Sequence, residues 1–390
     1  MTTPGLHLCG MDRNAVVVDG TLPGSSRCSA EPADQDFGPA FAGRNGVEIW
    51  NANGVSVENL TVCNFIGDAS ANNGNQIWWN GGDGSGRIGR GPYYGASLTA
   101  SSSFYQQGTP NVAQYGIFVS NSKGPGSIQF SYASNMGDSS FYIGGCRDCN
   151  ALLRFVHAQN SPQGYSGSNS GGHLVMEDSE WDHNQSGIVP SSLASYDQPS
   201  PQNGACPKAP GKSCTLIQQN YVHDNNNPNT PGSGLAATAV IGSGIDLTGR
   251  RNNTVRNNLV IHNGSWGNLL NDYPDFSPVI GSTYCAGGIL GYNPPPPFDP
   301  LYGSAVPCFF HSFGNHVVGN WFEHNGFFGN DTNGDLDGAV LGYRTNNRFR
   351  GNVDLGKKKP TSSPSNLAGS KTWRVLAENR GNLTPTRSSR

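Results

Sequence analysis

Histidines and carboxylates recur at matching places in four similar segments of this 390-residue sequence. Each group directly precedes an asparagine, and the residues concerned are Asp182, His183, His223, Asp224, His262, Glu323 and His324. An imidazole beside a carboxylate suits general acid–base catalysis, because each group shifts the pKa of the other. If the segments stack, His183, Asp224 and His262 come within hydrogen-bonding range and form a candidate catalytic site. The alternative is a merely solvated strand face, and a register change of one residue would turn these side chains inward.

Aromatic and basic side chains favour a carbohydrate as the ligand. Aromatic faces suit sugar rings, and arginine suits the recognition of a carboxylate. The substrate-binding residues predicted on these grounds are Tyr221 and Trp321 beside the histidines, and Trp78, Trp79, Arg87 and Arg90 in a glycine-rich segment. Residues 84–89 of that segment match GxGxxG. No strand–helix–strand unit surrounds them, so we do not interpret them as a dinucleotide site.

A possible metal site lies near the C-terminal end of the repeats. The segment from Asp331 to Asp337 places acidic and amide oxygens at alternate positions, as the first part of a calcium-binding loop does. One interpretation is therefore calcium bound by Asp331, Asn333, Asp335 and Asp337. Leu336 stands where an EF-hand loop has glycine, and no glutamate closes the loop, so a polar turn is the alternative.

A repeated pattern of short strands must position these groups. Each repeat reads as an apolar residue, an Asn or Ser, a short strand, and a second Asn five positions after the first. It occurs at Val57–Phe65, Met176–Ile188, Ile217–Asn225, Val255–Gly267 and Val318–Gly329. Asn135, Asn160 and Asn184 are 25 and 24 residues apart, which is one coil of a solenoid of three short strands. Longer intervals contain inserts at Pro190–Lys212, Asn226–Gly232 and Leu269–Pro307, and such inserts often build a binding site.

Side-chain alternation in each strand predicts which residues form the core. The position three residues before the second Asn should face inward, which selects Thr61, Trp181, Val222, Val260 and Phe322. Stacked coils bring equivalent residues about 4.8 Å apart, so turn asparagines can hydrogen-bond their equivalents above and below and tolerate left-handed backbone. The asparagines predicted to be scaffold are Asn59, Asn64, Asn220, Asn225, Asn258, Asn263, Asn320 and Asn325.

These repeats resemble the right-handed parallel β-helix superfamily, which includes pectate lyases, polygalacturonases, alginate epimerases and many uncharacterised bacterial secreted repeat proteins. The resemblance covers residues 45–353 or so. It implies an all-β, single-domain right-handed parallel β-helix with long loop inserts on one side, and a polysaccharide partner. The sequence lacks the Asp-Asp and Gly-His-Gly of the polygalacturonases, and Gly244-Ile-Asp246 lacks the Pro and His of the epimerase signature. No catalytic residue is therefore carried over from a subfamily.

Composition and cysteine content restrict the function classes. A net charge of −3 favours neither nucleic acid nor a membrane surface, and no apolar run is long enough to span a membrane. Nine cysteines favour an oxidising, extracellular compartment, although Met1–Gly5 shows no signal peptide. The expected disulfides are Cys28–Cys63, Cys146–Cys149, Cys206–Cys214 and Cys285–Cys308, with Cys9 left over.

The sequence divides into three predicted parts. Residues 1–44 form an N-terminal cap and first rung, residues 45–355 form the β-helix, and residues 356–390 form a basic Ser/Pro-rich extension. We predict a secreted, monomeric protein that acts on a uronate-containing polysaccharide as a lyase or by epimerase-like proton abstraction. A non-catalytic glycan-binding or adhesin-type surface protein and a glycoside hydrolase are the alternatives that the sequence leaves open.

Overall fold

Three parallel sheets of ten strands each build the molecule. The computed structural model describes residues 1–82, 89–104, 111–146, 148–192, 214–232, 234–274, 309–310, 312–338, 346–356 and 359–363. The chain visits the three sheets in turn, so each coil contributes one strand to every sheet. This architecture is a parallel β-helix, and the predicted all-β solenoid is confirmed.

The first sheet contains β1 (His7–Cys9), β4 (Val55–Glu58), β7 (Tyr93–Ala96), β10 (Gly126–Gln129), β13 (Ala151–Arg154), β16 (Leu174–Glu177), β19 (Thr215–Gln218), β22 (Thr254–Arg256), β27 (His316–Val318) and β30 (Arg348–Arg350). The second sheet contains β2 (Val17–Asp19), β5 (Thr61–Cys63), β8 (Thr99–Ser101), β11 (Tyr132–Ser134), β14 (His157–Gln159), β17 (Glu180–Asp182), β20 (Tyr221–His223), β23 (Leu259–Ile261), β28 (Trp321–Glu323) and β31 (Val353–Asp354).

The third sheet contains β3 (Val47–Trp50), β6 (Ile77–Asn80), β9 (Tyr115–Ser120), β12 (Ser139–Gly144), β15 (Gln163–Ser168), β18 (Ser186–Ser191), β21 (Ser243–Thr248), β24 (Trp266–Asn271), β29 (Gly334–Asp337) and β32 (Ser362–Ser363). A separate antiparallel pair joins β25 (Tyr273–Pro274) to β26 (Phe309–Phe310). The described 3-10 helices are Pro32–Asp34, Pro39–Phe41 and Gly234–Thr238. None of the described helices has the length and apolarity needed to cross a membrane.

The register of the second sheet corrects the predicted alignment of the first coils. On successive strands of this sheet the residues in register with Trp181 are Ala158, Ala133, Ala100 and Val62, and all of these side chains are buried. The inward residue of β5 is therefore Val62, and the prediction for Thr61 is wrong. The same register aligns Asn135 and Asn160 with His183 rather than with Asn184. The error arose because asparagine occupies two adjacent turn positions in different coils.

Asparagine ladders hold together the coils of the C-terminal half. In one ladder the side-chain amide of each residue donates to the Oδ1 of the next at 2.9–3.0 Å, through Asn220, Asn258, Asn320 and Asn352. A second ladder runs at 3.1 Å through Asn184, Asn225, Asn263 and Asn325. A third, which the sequence analysis missed, joins Asn253, Asn315 and Asn347. Low-dielectric burial strengthens such chains of hydrogen bonds and makes any unpaired member costly.

Two of the predicted scaffold asparagines have a different role. Asn59 and Asn64 lie one position earlier in the turn, with φ values of 55° and 57°. Asparagine tolerates this left-handed backbone better than most residues. Each binds the preceding coil through its amide, Asn59 to the carbonyl of Gly10 and Asn64 to that of Ser29. They are scaffold residues, but they are not members of a ladder.

The long connections leave or enter strands of the third sheet. Two of the predicted inserts, Pro190–Lys212 and Leu269–Pro307, begin within β18 and β24 and lead from the third sheet back to the first. The insert Asn226–Gly232 follows β20 and leads from the second sheet to the third. The corner between the first and second sheets has two residues in every coil from β4 onward, whereas seven residues separate β1 from β2. Each of the three inserts therefore lies in a connection that begins or ends at a strand of the third sheet.

Disulfides link Cys28 to Cys63 and Cys146 to Cys149, as the sequence predicted, and Cys9 is an exposed free thiol. Cys214 is also disulfide-bonded. The predicted partner Cys206, and the predicted pair Cys285–Cys308, lie outside the described residues. The confirmed disulfides are consistent with an extracellular protein.

Candidate functional site

The histidine face is the outer surface of the second sheet from β14 to β28, together with the turn that follows each strand. The core residues Trp181, Val222, Val260 and Phe322 are fully buried, so the residues on either side of them project outward. All seven predicted catalytic residues lie on this face, on the strands β17, β20 and β28 or in the turns after β17, β20, β23 and β28. The predicted register is therefore correct in these coils.

The carboxylate of Asp182 is the centre of one group on this face. Its Oδ1 lies 2.6 Å from Nε2 of His157, and its Oδ2 lies 2.7 Å from Nδ1 of His183 and accepts a bond of 2.8 Å from the Gln159 amide. Burial opposes its ionisation, but the hydrogen bonds from His157 and Gln159 outweigh burial and lower the pKa of Asp182. The Asp182 side chain is 5% exposed and that of His183 is 58% exposed. A buried, ionised carboxylate therefore orients an exposed imidazole.

His223 is the centre of a second group. Its Nδ1 lies 2.8 Å from Asp224 and its Nε2 lies 3.2 Å from Glu180, while the Tyr221 ring stacks on it with centroids 3.8 Å apart. Burial lowers the pKa of His223, but the two carboxylates outweigh burial and raise it. With both ring nitrogens bonded and the side chain only 11% exposed, His223 is suited to hold a proton. It is poorly suited to accept one from a ligand.

His262 extends the second group toward the end of the face. Its Nδ1 lies 3.0 Å from the other oxygen of Asp224, and its ring meets His324 edge to face at 4.7 Å. His324 and Glu323 are exposed. Burial raises the pKa of Asp224, but the hydrogen bonds from His223 and His262 outweigh burial and lower it. Asp224 and His262 therefore form a second carboxylate–imidazole pair.

Four of these residues also serve the backbone. His183, Asp224, His262 and His324 have φ values of 53°, 52°, 59° and 51°, in the left-handed region. Asn, Asp and His are enriched there. Part of the selection of His and Asp at these turns is therefore conformational, and their hydrogen bonds to one another are what adds chemistry.

A group able to hold a cation lies on the face and includes two residues, His157 and Glu180, that the sequence analysis did not select. One ligand atom each of His157, Glu180 and Asp182 lies within 4.8 Å of the others. The misaligned Asn160 concealed His157, because aligning Asn160 with Asn184 shifts β14 by one residue. One nitrogen and two oxygen ligands suit a transition metal better than calcium, which prefers oxygen.

The segment predicted to bind calcium runs from a turn into a strand. Gly334–Asp337 is the strand β29, and Asp335 accepts bonds from the Asn325 amide and from both the amide and the hydroxyl of Thr361. Asp331, Asp335 and Asp337 do not bring their oxygens within 4.8 Å of one another. Burial raises the pKa of Asp335 to about 6. Asp335 therefore ties β29 to Thr361, and calcium binding by this segment stays a prediction.

The predicted substrate-binding residues do not lie together. Tyr221 and Trp321 are partly exposed on the histidine face, on β20 and β28. Trp78 projects from the third sheet, whereas Trp79 is buried in the core and donates to the Val55 carbonyl at 3.1 Å. The prediction for Trp79 is therefore wrong. Arg90 bonds Asn51 at the corner after the third sheet, and Arg87 lies outside the described residues.

Two aspartates, one on β21 of the third sheet and one directly before β12, have raised pKa values that sequence reasoning did not find. Burial raises the pKa of Asp246 to about 7, and Thr248 donates to its carboxylate at 3.0 Å. Burial also raises the pKa of Asp138 to about 6, against hydrogen bonds from Tyr115 and nearby serines. Asp138 lies in no motif and Asp246 lies in an incomplete match to the epimerase signature, so the sequence gives no signal of the burial of either carboxylate. Titration near neutral pH is a property of functional carboxylates.

Comparison with known proteins finds only distant structural similarity. No protein-family model and no curated protein matches the sequence. The A-module of mannuronan C-5 epimerase AlgE4 of Azotobacter vinelandii is similar over 91% of this chain and 77% of that chain, with a TM-score of 0.43 and 11% identity. The Dettilon tailspike protein gp208 is similar over 90% of this chain and 57% of that chain, with a TM-score of 0.40 and 12% identity. An alginate lyase of Paenibacillus sp. str. FPU-7 is similar over 80% of this chain and 87% of that chain, with a TM-score of 0.39 and 8% identity. No residue role is transferred from these proteins.

Proposed function

We propose that the histidine face acts on an extracellular carbohydrate polymer by abstracting a proton next to a uronate carboxylate, as a lyase or an epimerase does. The observation that supports this best is the pair formed by Asp182 and His183. When Nδ1–H is donated to the buried carboxylate, the other ring nitrogen carries the lone pair that accepts a proton. His183 is the base in this proposal and Asp182 is its positioning residue. Tyr221 and Trp321 supply ring faces for sugars.

The charge of the face sets a condition on this activity. It carries four carboxylates, those of Glu180, Asp182, Asp224 and Glu323, and among its described residues there is no lysine or arginine. A uronate would be repelled unless a cation intervenes. The ligand atoms of His157, Glu180 and Asp182 fit a divalent cation that keeps open positions for a substrate carboxylate. We therefore expect turnover to require a divalent metal ion.

A non-catalytic glycan-binding protein is the second candidate. The observation that favours it is the short corner between the first and second sheets, where two residues join the strands of each coil from β13 to β28 and build no wall beside the described part of the histidine face. An open face suits a long polymer held without exclusion of water. Catalysis by proton abstraction gains from excluding water, because electrostatic interactions are stronger in a dry site.

A panel of polysaccharides separates these candidates. Purified protein is incubated with alginate, polygalacturonate and uncharged glycans, with Ca²⁺, with Mn²⁺ or with EDTA. Ultraviolet absorbance reports unsaturated uronates, a reducing-end assay reports hydrolysis, and proton exchange in D₂O reports epimerisation. We expect metal-dependent absorbance or exchange with a uronate polymer. Binding without any of the three signals would transfer the assignment to the glycan-binding protein.

Variants test the assigned roles in the same assay. His183→Ala should lower kcat by about a hundredfold or more, the usual effect of losing a general base. Asp182→Asn should also lower kcat, since it keeps the shape of the side chain and removes its charge. His316→Ala is the matched control, because His316 is exposed on the first sheet. Full activity of His183→Ala would remove His183 from the mechanism.

A further inference from the structure

Four aromatic side chains, termed here the aromatic platform, lie together on the outer face of the third sheet. Trp78 on β6, Phe118 on β9 and Tyr142 on β12 occupy paired positions on neighbouring strands, and Tyr115 begins β9. The ring centroid of Phe118 lies 5.1 Å from that of Trp78 and 4.2 Å from that of Tyr115, with planes inclined by only 18° and 12°. The Tyr142 ring lies 4.9 Å from Phe118 at 82°. The platform extends roughly 10 Å along the coil axis.

The platform lies outside the hydrophobic core. The neighbours Trp79, Val119 and Ile143 point inward and are buried, whereas the platform rings are partly exposed. The Tyr142 ring lies along its strand over Gly144, where a Cβ atom would come 2.5 Å from Cζ of the ring. The glycine thus leaves room for the ring to lie close to the sheet. Contiguous apolar surface that stays accessible outside a core is typical of a ligand-binding surface.

Polar groups border the platform on two sides. On one side, Ser166 donates to Asp138 at 3.4 Å, and Tyr115 also hydrogen-bonds this carboxylate. On the other side, Glu48 accepts a bond of 3.2 Å from the Asn80 amide. Carboxylate oxygens have several acceptor sites, so both can accept further hydrogen bonds from ligand hydroxyls. Aromatic surface with acceptors at its rim matches a pyranose ring, whose faces are C–H and whose rim is hydroxyl.

We propose that the aromatic platform binds an uncharged chain of linked pyranose rings. Sugar C–H faces pack against Trp78 and Phe118, and sugar hydroxyls donate to Asp138 and Glu48. The same two carboxylates disfavour an anionic sugar, since like charges repel at short range. The platform lies on a different sheet from the histidine face and its role requires no turnover. It is therefore independent of the function proposed above, and a binding assay decides it separately.

The test is titration calorimetry of the full chain with cellohexaose, mannohexaose and laminarihexaose as uncharged probes and hexagalacturonate as the acidic probe. We expect at least one uncharged probe to bind and hexagalacturonate to bind at least tenfold more weakly. Phe118→Ala should raise the Kd of the bound probe tenfold or more. Failure of every uncharged probe to bind, or a preference for hexagalacturonate, overturns the proposal.

Two comparisons keep the result independent of folding defects. Phe118→Leu and Phe118→Tyr both keep a large side chain, but only Phe118→Tyr keeps the ring, so it alone should retain binding. Phe130→Ala is the matched control, because Phe130 and Phe155 form an exposed stacked pair, 5.0 Å apart, at the corner between the first and second sheets. Equal binding by Phe118→Leu and the wild type, or equal losses in Phe118→Ala and Phe130→Ala, would show that the platform is not the site.

Discussion

Replacing Asn258 by alanine tests whether the ladders support the fold. Asn258 is fully buried, and its Oδ1 accepts bonds of 3.0 Å from both the backbone and side-chain amides of Asn220. Its own amide donates to the Ile217 carbonyl at 3.0 Å and to Oδ1 of Asn320 at 2.9 Å. Asn258→Ala therefore deletes four hydrogen bonds at once. It leaves buried donors and acceptors on three neighbours without these partners.

Four net contributions of about 1 kcal/mol each predict a loss of about 4 kcal/mol in the free energy of unfolding. That is a large part of the roughly 5–15 kcal/mol typical of a folded domain. Urea unfolding followed by circular dichroism measures the loss as a shift of the midpoint at constant slope. A loss below about 1 kcal/mol would refute the argument, since it would mean that water replaces the ladder without cost.

The adjacent residue Asn257 provides a matched control. It lies in the same turn, but its side chain is exposed and its φ is 53°. Asn257→Ala should cost only about 1 kcal/mol, the penalty of a left-handed backbone for a residue with a Cβ. Asn257→Gly should recover that loss, because glycine adopts positive φ without strain. Equal losses at Asn257 and Asn258 would mean that turn conformation, rather than the ladder, is what matters.

Three further outcomes follow from the described contacts. Burial raises the pKa of Asp138 from 3.8 to about 6, so the folded chain loses stability as the pH rises between those values. In thermal scans, Asp138→Asn should therefore have a higher melting temperature than the wild type at pH 8 and the same melting temperature at pH 3. Cys28→Ser opens a loop of 35 residues and should cost about 3–4 kcal/mol, whereas Cys9→Ser should leave the melting temperature unchanged. His157→Ala should weaken Mn²⁺ binding in calorimetry at least tenfold, and an unchanged affinity would remove the cation site.

Sequence alone predicted the fold because one spacing governs most coils. The asparagines at 220, 225, 258, 263, 320 and 325 occupy the ladder positions that their spacing implied. The first coils were misaligned by one residue. Asparagine occurs both at the turn position with left-handed backbone and at the next position, which forms the ladder. Asn64 occupies the first and Asn184 the second, so the two look equivalent in sequence but differ in register. The pairing of Val62 with Ala100 resolves a choice that composition cannot.

The histidine face was only partly predictable for a related reason. The residues next to each second asparagine were found, since alternation assigns them outward. His157 and Glu180 were not selected, because their contacts join different coils and depend on the register of β14 against β17. Asp138 offers no sequence signal at all. Its raised pKa comes from burial at a corner that forms only when the coils are stacked.

The uneven distribution of the ladders implies that unfolding is not uniform along the molecule. Every ladder pair described above lies between residues 184 and 352, whereas the two disulfides described with both partners lie between residues 28 and 149, and Cys214 is a disulfide-bonded cysteine within the ladder region. Each coil contacts mainly the coils next to it, so a solenoid behaves as a one-dimensional array whose stability is a sum over neighbours. The boundary between folded and unfolded coils can then stop between the coils that disulfides link and the coils that asparagine ladders link. Reducing agents would weaken the N-terminal coils, where disulfides stand without a described ladder, more than the coils that asparagine ladders also link.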